Sequence, residues 1–557
     1  MKKNWMGPRP CPRLCDAAFV GYFDAMSDDS AGNGRIVRES GKLSLLTMIS
    51  RILGLIREMT RAALMGTGVL AEAFTVAFTT PNLFRRLFAE GSMAVALIPT
   101  MRGYFAARND DDTEEFLSAT FSMLCYLVGA VVAAGIAASG FIAATFASLA
   151  QEGTVVDAFE TAALMRIMFP FLALVSIAAF LQGILNAHDV FGPPGYAPIL
   201  FNLSFIGVPV LISPWMPNPA RAMAVGVVIG GLLQAACQLP AVIRLGARFR
   251  FVSPGKAFSN PGMKRVLRLI APTIVGMAAY ELNGLVSVAL ANATGAATSL
   301  SFSIRLQELI LGIFVASVGT VLLPELSGLA SVLDWERFVD RLVRGLEMVI
   351  LVTVPIAFFS IVERLDIVTV VFKTGAFGDE SVRMTAEAFL YHSLGLVSIG
   401  MHRILAPAFY ARGNSKLPAA AGVVAVAVNI VCALLLSRLM GGGGIALALS
   451  IASCIHAALL VVLLMRSGLP GLGRGLVSAG AYALKLCLFS SAAAAPVLLL
   501  RAPLASLFGG HPSRLVSAGI PLLVSSLLFG GIGIGLLVLS KDAVAAGLAS
   551  SFSKKRR

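Results

Sequence analysis

The stretch TTPNLFRRLFAEGSMAVALIPT, Thr79–Thr100, places the adjacent arginines Arg85 and Arg86 in an apolar setting. The surrounding chain of 557 residues is 57% hydrophobic and only 13% charged, and its mean hydropathy is +0.84. Soluble proteins are about 45–50% apolar and about 25% charged. A membrane-crossing helix needs about 20 apolar residues, and the chain holds about fourteen such runs. The sequence therefore predicts an all-α polytopic membrane protein with about 14 transmembrane helices.

Two pairs of segments indicate an internal duplication. ALIPTMRGY (96–104), at the end of the opening stretch, resembles VLLPELSGL (321–329). FLALVSIAAFLQGILNAHDVFGPPGYAP (171–198) resembles YHSLGLVSIGMHRILAPAFYARGNSKLP (391–418) at nearly the same offset. Two separate matches at nearly one offset favour a repeat, with chance similarity between apolar helices as the alternative.

The repeat predicts two six-helix lobes around a central cavity, followed by two C-terminal helices. Because each unit has an even number of spans, both enter the membrane in one orientation, as in transporters built from parallel repeats. The predicted parts are a disordered extension (1–40), the N-lobe (41–250), the C-lobe (251–467), the C-terminal helix pair (468–545) and a basic tail (546–557).

Basic residues sort to alternate connections. The connection after the sixth span is strongly basic, with Arg244, Arg248, Arg250, Lys256, Lys264, Arg265 and Arg268, whereas the short loops 65–71 and 292–298 contain no Lys or Arg. The positive-inside rule then places both termini in the cytoplasm. It also explains the net charge of +14 without nucleic acid as a partner.

The first span, LSLLTMISRILGLIREMTRAALM, carries Arg51, Arg57, Glu58 and Arg61. Side chains three or four residues apart on a helix can pair, whereas adjacent ones diverge by about 100°. Glu58 is therefore predicted to pair with Arg61 and to leave Arg51 and Arg57 without a local partner.

The same reasoning separates the two arginines of the opening stretch. Arg86 has Glu90 four residues on, whereas Arg85 has no carboxylate at three or four residues in either direction. In the eighth span, Arg305 has Glu308 as a local partner. Because each arginine costs at least about 2.5–3.5 kcal/mol at mid-membrane, a shared aqueous cavity is the cheaper arrangement for the arginines without local partners. The planar guanidinium suits phosphate and carboxylate oxygens, so the predicted guest is an anion.

Four further polar residues in predicted spans are candidates: Glu72, and the group of Glu281, Asn283 and Asn429. Glu72 opens the second span near the predicted external face, where capping of a helix N-terminus, gating and substrate contact are all open. Glu281 and Asn283 lie inside the seventh span, with Asn429 in the eleventh as a weaker companion. These three could bind Na⁺ or carry a proton, or be satisfied by neighbouring helices.

The sequence gives no support for an enzyme. It contains no nucleophile elbow, zinc-protease or Walker motif, and Cys11 and Cys15 lack the second ligand pair of a zinc site. No metal or cofactor is predicted. Uphill work would then need Na⁺ or H⁺ coupling, the membrane potential or a partner.

Several segments resemble the signature segments of the MurJ (MviN) family of lipid II flippases, within the multidrug/oligosaccharidyl-lipid/polysaccharide exporter superfamily. They are SRILGLIREMTRAALMGTG, EAFTVAFTTPNLFRRLFAEGSMAVALIPT, IRLQELILGIFVASVGTVLLPELS and ILAPAFYARGNSKLP. The resemblance extends from about residue 41 to about residue 540, and PNLFRRLFAEG is its most specific part.

The resemblance implies fourteen helices around a central cavity and a final helix pair that forms a groove for a lipid tail. It implies alternating-access transport of lipid II, an undecaprenyl pyrophosphate carrying the disaccharide-pentapeptide precursor of peptidoglycan, to the outer leaflet of the bacterial cytoplasmic (inner) membrane. It also implies substrate-binding roles at Arg51, Arg57, Arg85, Arg305 and Glu72. Membrane lipids are then partners, and whether the cell-wall synthesis machinery is also a partner stays open.

Two rival functions stay open at this level. One is export of another polyprenyl-linked oligosaccharide or of drugs, as elsewhere in the superfamily. The other is a non-transporting scaffold that recruits cell-wall synthesis proteins.

Overall fold

The computed structural model describes residues 30–87, 92–107 and 109–547, with side chains from residue 45 onward except at 88–96, 271–280 and a few further positions. Within these ranges the chain forms α-helices joined by short turns, and no strand occurs. In chain order the helices are α1 (Ser30–Met65), α2 (Val69–Arg85), α3 (Ser92–Ala107), α4 (Asp110–Ser148), α5 (Ala158–Ala187), α6 (Gly192–Ile212), α7 (Pro219–Ala236), α8 (Leu239–Arg244), α9 (Pro254–Ser259), α10 (Pro261–Ala293), α11 (Ala297–Ser331), α12 (Trp335–Val362), α13 (Arg364–Phe372), α14 (Asp379–Leu394), α15 (Leu396–Tyr410), α16 (Lys416–Met465), α17 (Leu472–Phe508) and α18 (Ile520–Leu539).

Short polar side chains start many of these helices. In each case a side-chain oxygen accepts a hydrogen bond from a backbone N–H of the first turn, which satisfies a donor that the helix itself cannot. The residues that do this are Asn109, Asp157, Asn218, Asn260 and Asp334, at the starts of α4, α5, α7, α10 and α12.

Glycines break two of the longer segments. Gly395 separates α14 from α15 and lies so close to Ser450 that a side chain would not fit there. Within α16, Gly441 has a φ of +56°, a left-handed conformation that glycine adopts without strain. Two helical segments therefore lie within Lys416–Met465, as the predicted eleventh and twelfth spans require.

Among the described residues, eight helices are long and apolar enough to cross a membrane. They include α4, α5 and α6 as well as the C-terminal pair α17 and α18. The all-helical, polytopic prediction is confirmed, whereas the number fourteen stays a prediction. Helices α1, α2 and α11 carry charged residues that lie around one site, which is described below.

The buried core forms separate clusters in the two halves of the chain. One cluster of the first half gathers Phe116, Leu172 and Phe180, and the largest cluster of the second half gathers Leu326, Phe338 and Leu405. Helix α10 crosses between them, because its residues Met263 and Val266 pack into the first-half core. The predicted boundary at 250/251 therefore precedes a helix that contacts both halves.

The repeated motif takes different forms in the two halves. Pro99 lies in the separate helix α3, whereas Pro324 lies inside the continuous helix α11. Duplication remains a prediction. Helix α1 begins at Ser30, within the segment 1–40 predicted as an extension, and residues 1–29 and 548–557 lie outside the described residues.

Candidate functional site: an arginine-lined cavity and an interhelical latch

A cavity of about 780 Å³ lies between the two halves of the chain. Helices α1, α2, α3, α5, α6 and α7 of the first half line it, together with α11 and α15 of the second half. Six arginines face it: Arg51, Arg57, Arg85, Arg86, Arg305 and Arg403. Glu308 is the one carboxylate among the described lining residues. The cavity is therefore strongly cationic, as an anion site requires.

The structure brings together the four arginines predicted from the sequence. Arg51 and Arg57 come from α1, Arg85 from the end of α2 and Arg305 from α11. The charges of these helices thus face one cavity instead of lipid.

Glu58 is the anionic centre behind the arginines. Its buried carboxylate pairs with Arg57 at 2.8 Å and with Arg61 at 3.3 Å, and lies 3.8 Å from Arg305. The predicted pair with Arg61 is confirmed, but the prediction that Arg57 lacks a partner is wrong. The long Arg57 side chain folds back onto its neighbour and also donates to Asn202 Oδ1 at 3.1 Å.

Two arginines have partners beyond those their spacing predicts. Arg86 pairs with Glu281 of α10 at 3.5 Å, and its predicted partner Glu90 lies outside the described residues. Arg85 donates to Asn82 Oδ1 at 2.7 Å. Arg305 forms its predicted local pair with Glu308 at 2.8 Å.

Arg51 reaches from the first half of the chain to a helix of the second half. It is exposed to the cavity, and no carboxylate lies within ion-pair distance of it in the described part of the chain. Its guanidinium rests on Gly312 of α11, where a methyl group would overlap it. The absence of a side chain at Gly312 thus lets a first-half arginine lie against a second-half helix.

Replacing Gly312 with Ala should displace Arg51 without unfolding the protein, because the clashing atoms belong to the flexible end of a long side chain. An off-rotamer side chain costs about 0.5–1.5 kcal/mol, so we expect up to about a tenfold loss of ligand affinity. Isothermal titration with lipid II would measure it. Gly328→Ala, on the same helix with open space around it, is the control. Equal affinity in both variants would contradict a positioning role for Gly312.

Sequence reasoning missed Arg403 and the neutral lining of the cavity. Arg403 lies on α15 in the segment HRIL and has no carboxylate three or four residues away, so the pairing argument applied there would have found it. The amides carry no comparable signal, since single Asn and Gln residues barely alter hydropathy. They are Asn82, Gln182, Asn186, Asn202, Gln234 and Gln238.

Glu72 is not among the cavity-lining residues. It lies at the start of α2, about 20 Å along that helix from Arg85. Its buried carboxylate accepts hydrogen bonds from the N–H groups of Ala297 at 2.9 Å and Thr298 at 2.7 Å. The carboxylate thus caps the N-terminus of α11, in the other half of the chain, where the helix dipole favours negative charge.

Further hydrogen bonds join the halves at the same end, and we call this set with Glu72 the latch. Thr75 Oγ1 and Thr298 Oγ1 are 2.8 Å apart, and Thr67 Oγ1 donates to Ser381 at 2.8 Å. Ala376 N donates to Ala63 O at 2.8 Å. A substrate-contact role for Glu72 stays a prediction, and its position matches the gating alternative.

The three candidate ion-coupling residues separate into two groups. Glu281 faces Arg86, whereas Asn429 Nδ2 donates to Asn283 Oδ1 at 3.0 Å and to Ser287 Oγ at 3.2 Å. Residues two apart on a helix point in nearly opposite directions, which explains the split between Glu281 and Asn283. Asn429 Oδ1 is buried without a hydrogen-bond partner.

A second cavity, of about 750 Å³ and mainly apolar lining, lies between α12 and the C-terminal helix pair. Its walls include Leu351, Phe489, Phe529 and Leu537, and Lys541 stands at one end. We call it the apolar groove.

A family model described as lipid II flippase MurJ matches residues 61–507. The chain belongs to this family. A probable lipid II flippase MurJ of Treponema pallidum (strain Nichols) is 41% identical over 514 residues, which cover 90% of this chain and 95% of that protein. A lipid II flippase MurJ of Burkholderia cenocepacia is 30% identical, over 77% of this chain and 83% of that protein.

Solved structures agree on the fold. The structure described as lipid II flippase MurJ in an inward closed conformation matches with a TM-score of 0.73 and 22% identity, and the match covers 90% of this chain and 99% of that chain. An inward-facing multidrug transporter of the MATE family matches with a TM-score of 0.60 and 13% identity, covering 78% of this chain and 95% of that chain. Members of the MurJ family are lipid transporters and not catalysts.

Proposed function

We propose that this chain translocates lipid II from the inner to the outer leaflet of the bacterial cytoplasmic membrane, for peptidoglycan synthesis. The observation that carries the proposal is the cationic cavity between the two halves, with six arginines and one glutamate among the described lining residues, in a chain of the MurJ family. A pyrophosphate carries several negative charges and fits such a site through charge-assisted, bidentate hydrogen bonds.

Each part of the substrate has a matching surface. Arg51, Arg57, Arg85 and Arg305 would hold the pyrophosphate, with Arg403 as an additional cation. The lining amides can donate to and accept from sugar hydroxyls and peptide groups, which suits the disaccharide-pentapeptide. The polyprenyl tail would lie in the apolar groove, whose lining resembles lipid in polarity.

The latch supports an alternating-access mechanism between two lobes, residues 41–250 and 251–467, with 468–545 as the pair that shapes the groove. The basic face, with residues 244–268 and both termini, would be cytoplasmic, and the latch face external. Headgroup binding in the cavity would be followed by release of Glu72 from α11, so that the lobes separate externally and the headgroup leaves. Membrane potential or an ion gradient would then reset the lobes.

A vesicle assay tests this function. Purified protein is reconstituted with labelled lipid II, and the fraction accessible to an external modifying enzyme is followed with time. We expect protein-dependent exposure of the inner-leaflet pool. Exposure no faster than in empty vesicles, with normal recruitment of cell-wall enzymes in cells, would support the scaffold instead. Faster exposure of another polyprenyl-linked oligosaccharide would support the other exporter.

If the Asn429 amide turned by 180° about its terminal bond, its Oδ1 would lie beside Asn283 Oδ1 and Ser287 Oγ. These three neutral oxygens would then be a donor set suited to a hard cation such as Na⁺. We expect translocation to slow when choline replaces Na⁺. Asn429→Ala should raise the Na⁺ concentration for half-maximal rate at least about tenfold, the low end for loss of a metal-site partner. Asn414→Ala, which removes only an N-cap of α16, is the control. A wild-type rate that is equal in choline would contradict Na⁺ coupling at this cluster.

A further inference from the structure

Helix α13 is a short helix on the latch face that contacts both halves of the chain. Its buried residues Val368 and Phe372 pack in one cluster with Phe302 of α11 and Ala62 of α1. The segment that follows it, residues 373–378, donates the latch hydrogen bond from Ala376 N to Ala63 O. Any movement of α13 therefore acts directly on a contact between the halves.

The C-terminal helix pair holds α13 at its last turn. The Arg514 guanidinium donates to Val371 O at 3.4 Å and Lys373 O at 3.2 Å, and so caps carbonyls that the helix leaves free. This contact joins the Arg514 guanidinium only to backbone acceptors.

At the first turn of α13 lies Glu363, whose side chain is an unusual buried acid. The residue is 1% exposed, and neither carboxyl oxygen has a hydrogen-bond partner of good geometry. Its surroundings are Asp366 one turn on, the Ser525 hydroxyl of α18 and the charge of Arg501 of α17. The acid thus sits where α13 meets both helices of the C-terminal pair.

The charges around Glu363 do not balance two ionised acids. Arg501 is the cation that acts on both Glu363 and Asp366. The nearby Arg364 donates to Ile361 O at 2.7 Å. The other cations of this region are occupied elsewhere: Lys373 pairs with Asp379 at 2.6 Å, and Arg514 lies at the far end of α13.

A buried carboxylate without a well-aligned hydrogen-bond donor is costly, and a second acid beside it adds repulsion. Burial, followed by the charge of Asp366, raises the pKa of Glu363 to about 7, and burial also raises the pKa of Asp366. Glu363 therefore keeps a proton below about pH 7, although an exposed glutamic acid would lose it near pH 4.3.

We propose that Glu363 and Asp366 form a proton-binding site on the latch face, and that the bound proton keeps α13 seated against the C-terminal helix pair. The neutral carboxyl tolerates burial, whereas the carboxylate formed on proton release is stabilised by water. Proton loss should therefore loosen the first turn of α13 and weaken the contact of residues 373–378 with α1. Because the pKa of Glu363 is raised, the packing of α13 against the C-terminal helix pair is favoured at low pH and is lost as pH rises through about 7.

This site goes beyond the proposed function, because it concerns a proton and a gate contact and not the transported molecule. In an energised cell the proton concentration is highest on the external side of the membrane. The external pH would then affect the strength of the contact between the halves.

Infrared difference spectroscopy of the purified full-length protein tests proton binding directly. Between pH 5 and pH 9 we expect a protonated-carboxyl C=O band to disappear with a midpoint near pH 7, and Glu363→Gln to remove that band. Asp366→Asn should shift the midpoint, because the neighbouring charge is lost. Glu380→Gln, an exposed acid on α14 that pairs with Arg383, is the control. An unchanged band in Glu363→Gln, or a midpoint near pH 4.5 in the wild type, would overturn the proposal.

A distance measurement tests the effect on the gate. In a cysteine-free background, spin labels at Thr374 and at Val69, both exposed on the latch face, span the contact between the halves. For a pKa near 7 the charged fraction rises from about a tenth at pH 6 to about nine tenths at pH 8. The long-distance population should rise with it in the wild type and stay constant in Glu363→Gln. Equal pH dependence in both proteins, or none in the wild type, would refute the gating role, and neither readout requires lipid II.

Discussion

Arg51→Ala is expected to lower the affinity for lipid II about 10- to 100-fold and to reduce translocation accordingly, with no loss of folded protein. Arg51 is exposed to the cavity, and no carboxylate pairs with it among the described residues, so its removal leaves no buried charge behind. Hydrogen bonds to charged groups contribute about 1.5–3 kcal/mol, which sets the expected range. Titration with lipid II and the vesicle assay measure the two effects.

Comparing Arg51→Ala with a control variant separates an effect on binding from an effect on folding. Arg57→Ala would also leave the buried Glu58 with one close partner fewer, so its loss of activity could reflect misfolding. Arg102→Ala removes an exposed arginine that pairs with Asp189 outside the cavity, at equal cost in net charge. If Arg51→Ala and Arg102→Ala bind lipid II equally well, the cavity is not the pyrophosphate site.

Glu72→Ala is expected to shift the protein toward states with the latch open by a factor of about 100 or more. The substitution removes two charge-assisted hydrogen bonds to the N-terminus of α11, each with a net contribution of about 1.5–3 kcal/mol. Because transport requires the latch to close again after each release, the translocation rate should also fall. Spin-label distances across the latch face, with and without lipid II, measure the population shift.

Glu72→Gln refines this prediction. The amide oxygen can still accept a hydrogen bond, but the charge that interacts with the helix dipole is gone, so we expect an intermediate population. Glu380→Gln, on the same face, should leave the distances unchanged. A closed latch in Glu72→Ala at wild-type population would show that the remaining contacts, among them Thr75 with Thr298, hold the halves without it.

The sequence predicts those features that depend on charge and local spacing. Hydropathy identifies the membrane helices, and the cost of arginine side chains in lipid predicts that Arg51, Arg57, Arg85 and Arg305 meet in a cavity. The spacing argument fails for Arg57 because a long side chain can return to its immediate neighbour when both groups are buried. The same spacing rule finds no local carboxylate for Arg403 and so indicates a further cavity residue.

Other features depend on tertiary packing and leave no local signal. Glu281 finds Arg86 on another helix, and no spacing rule could relate residues so distant in sequence. The contact between Arg51 and Gly312 depends on how closely α1 approaches α11. The partner of Glu72 is backbone, which every helix start offers equally, so the sequence alone could not say which helix it caps.

The backbone partners of Glu72 have a genetic consequence. The hydrogen bonds from Ala297 and Thr298 to Glu72 come from backbone amides, so a substitution at Ala297 that keeps the helix and its N–H leaves them intact. Thr298 differs, because its hydroxyl also contacts Thr75 and Glu72. A loss of the Glu72 carboxylate leaves these two amides without their acceptor, and the first turn of α11 has no charged side chain through which a second mutation could restore the pair. Drift at Ala297 is thereby uncoupled from the latch hydrogen bonds, whereas selection falls on the Glu72 carboxylate and on the Thr298 hydroxyl that meets Thr75.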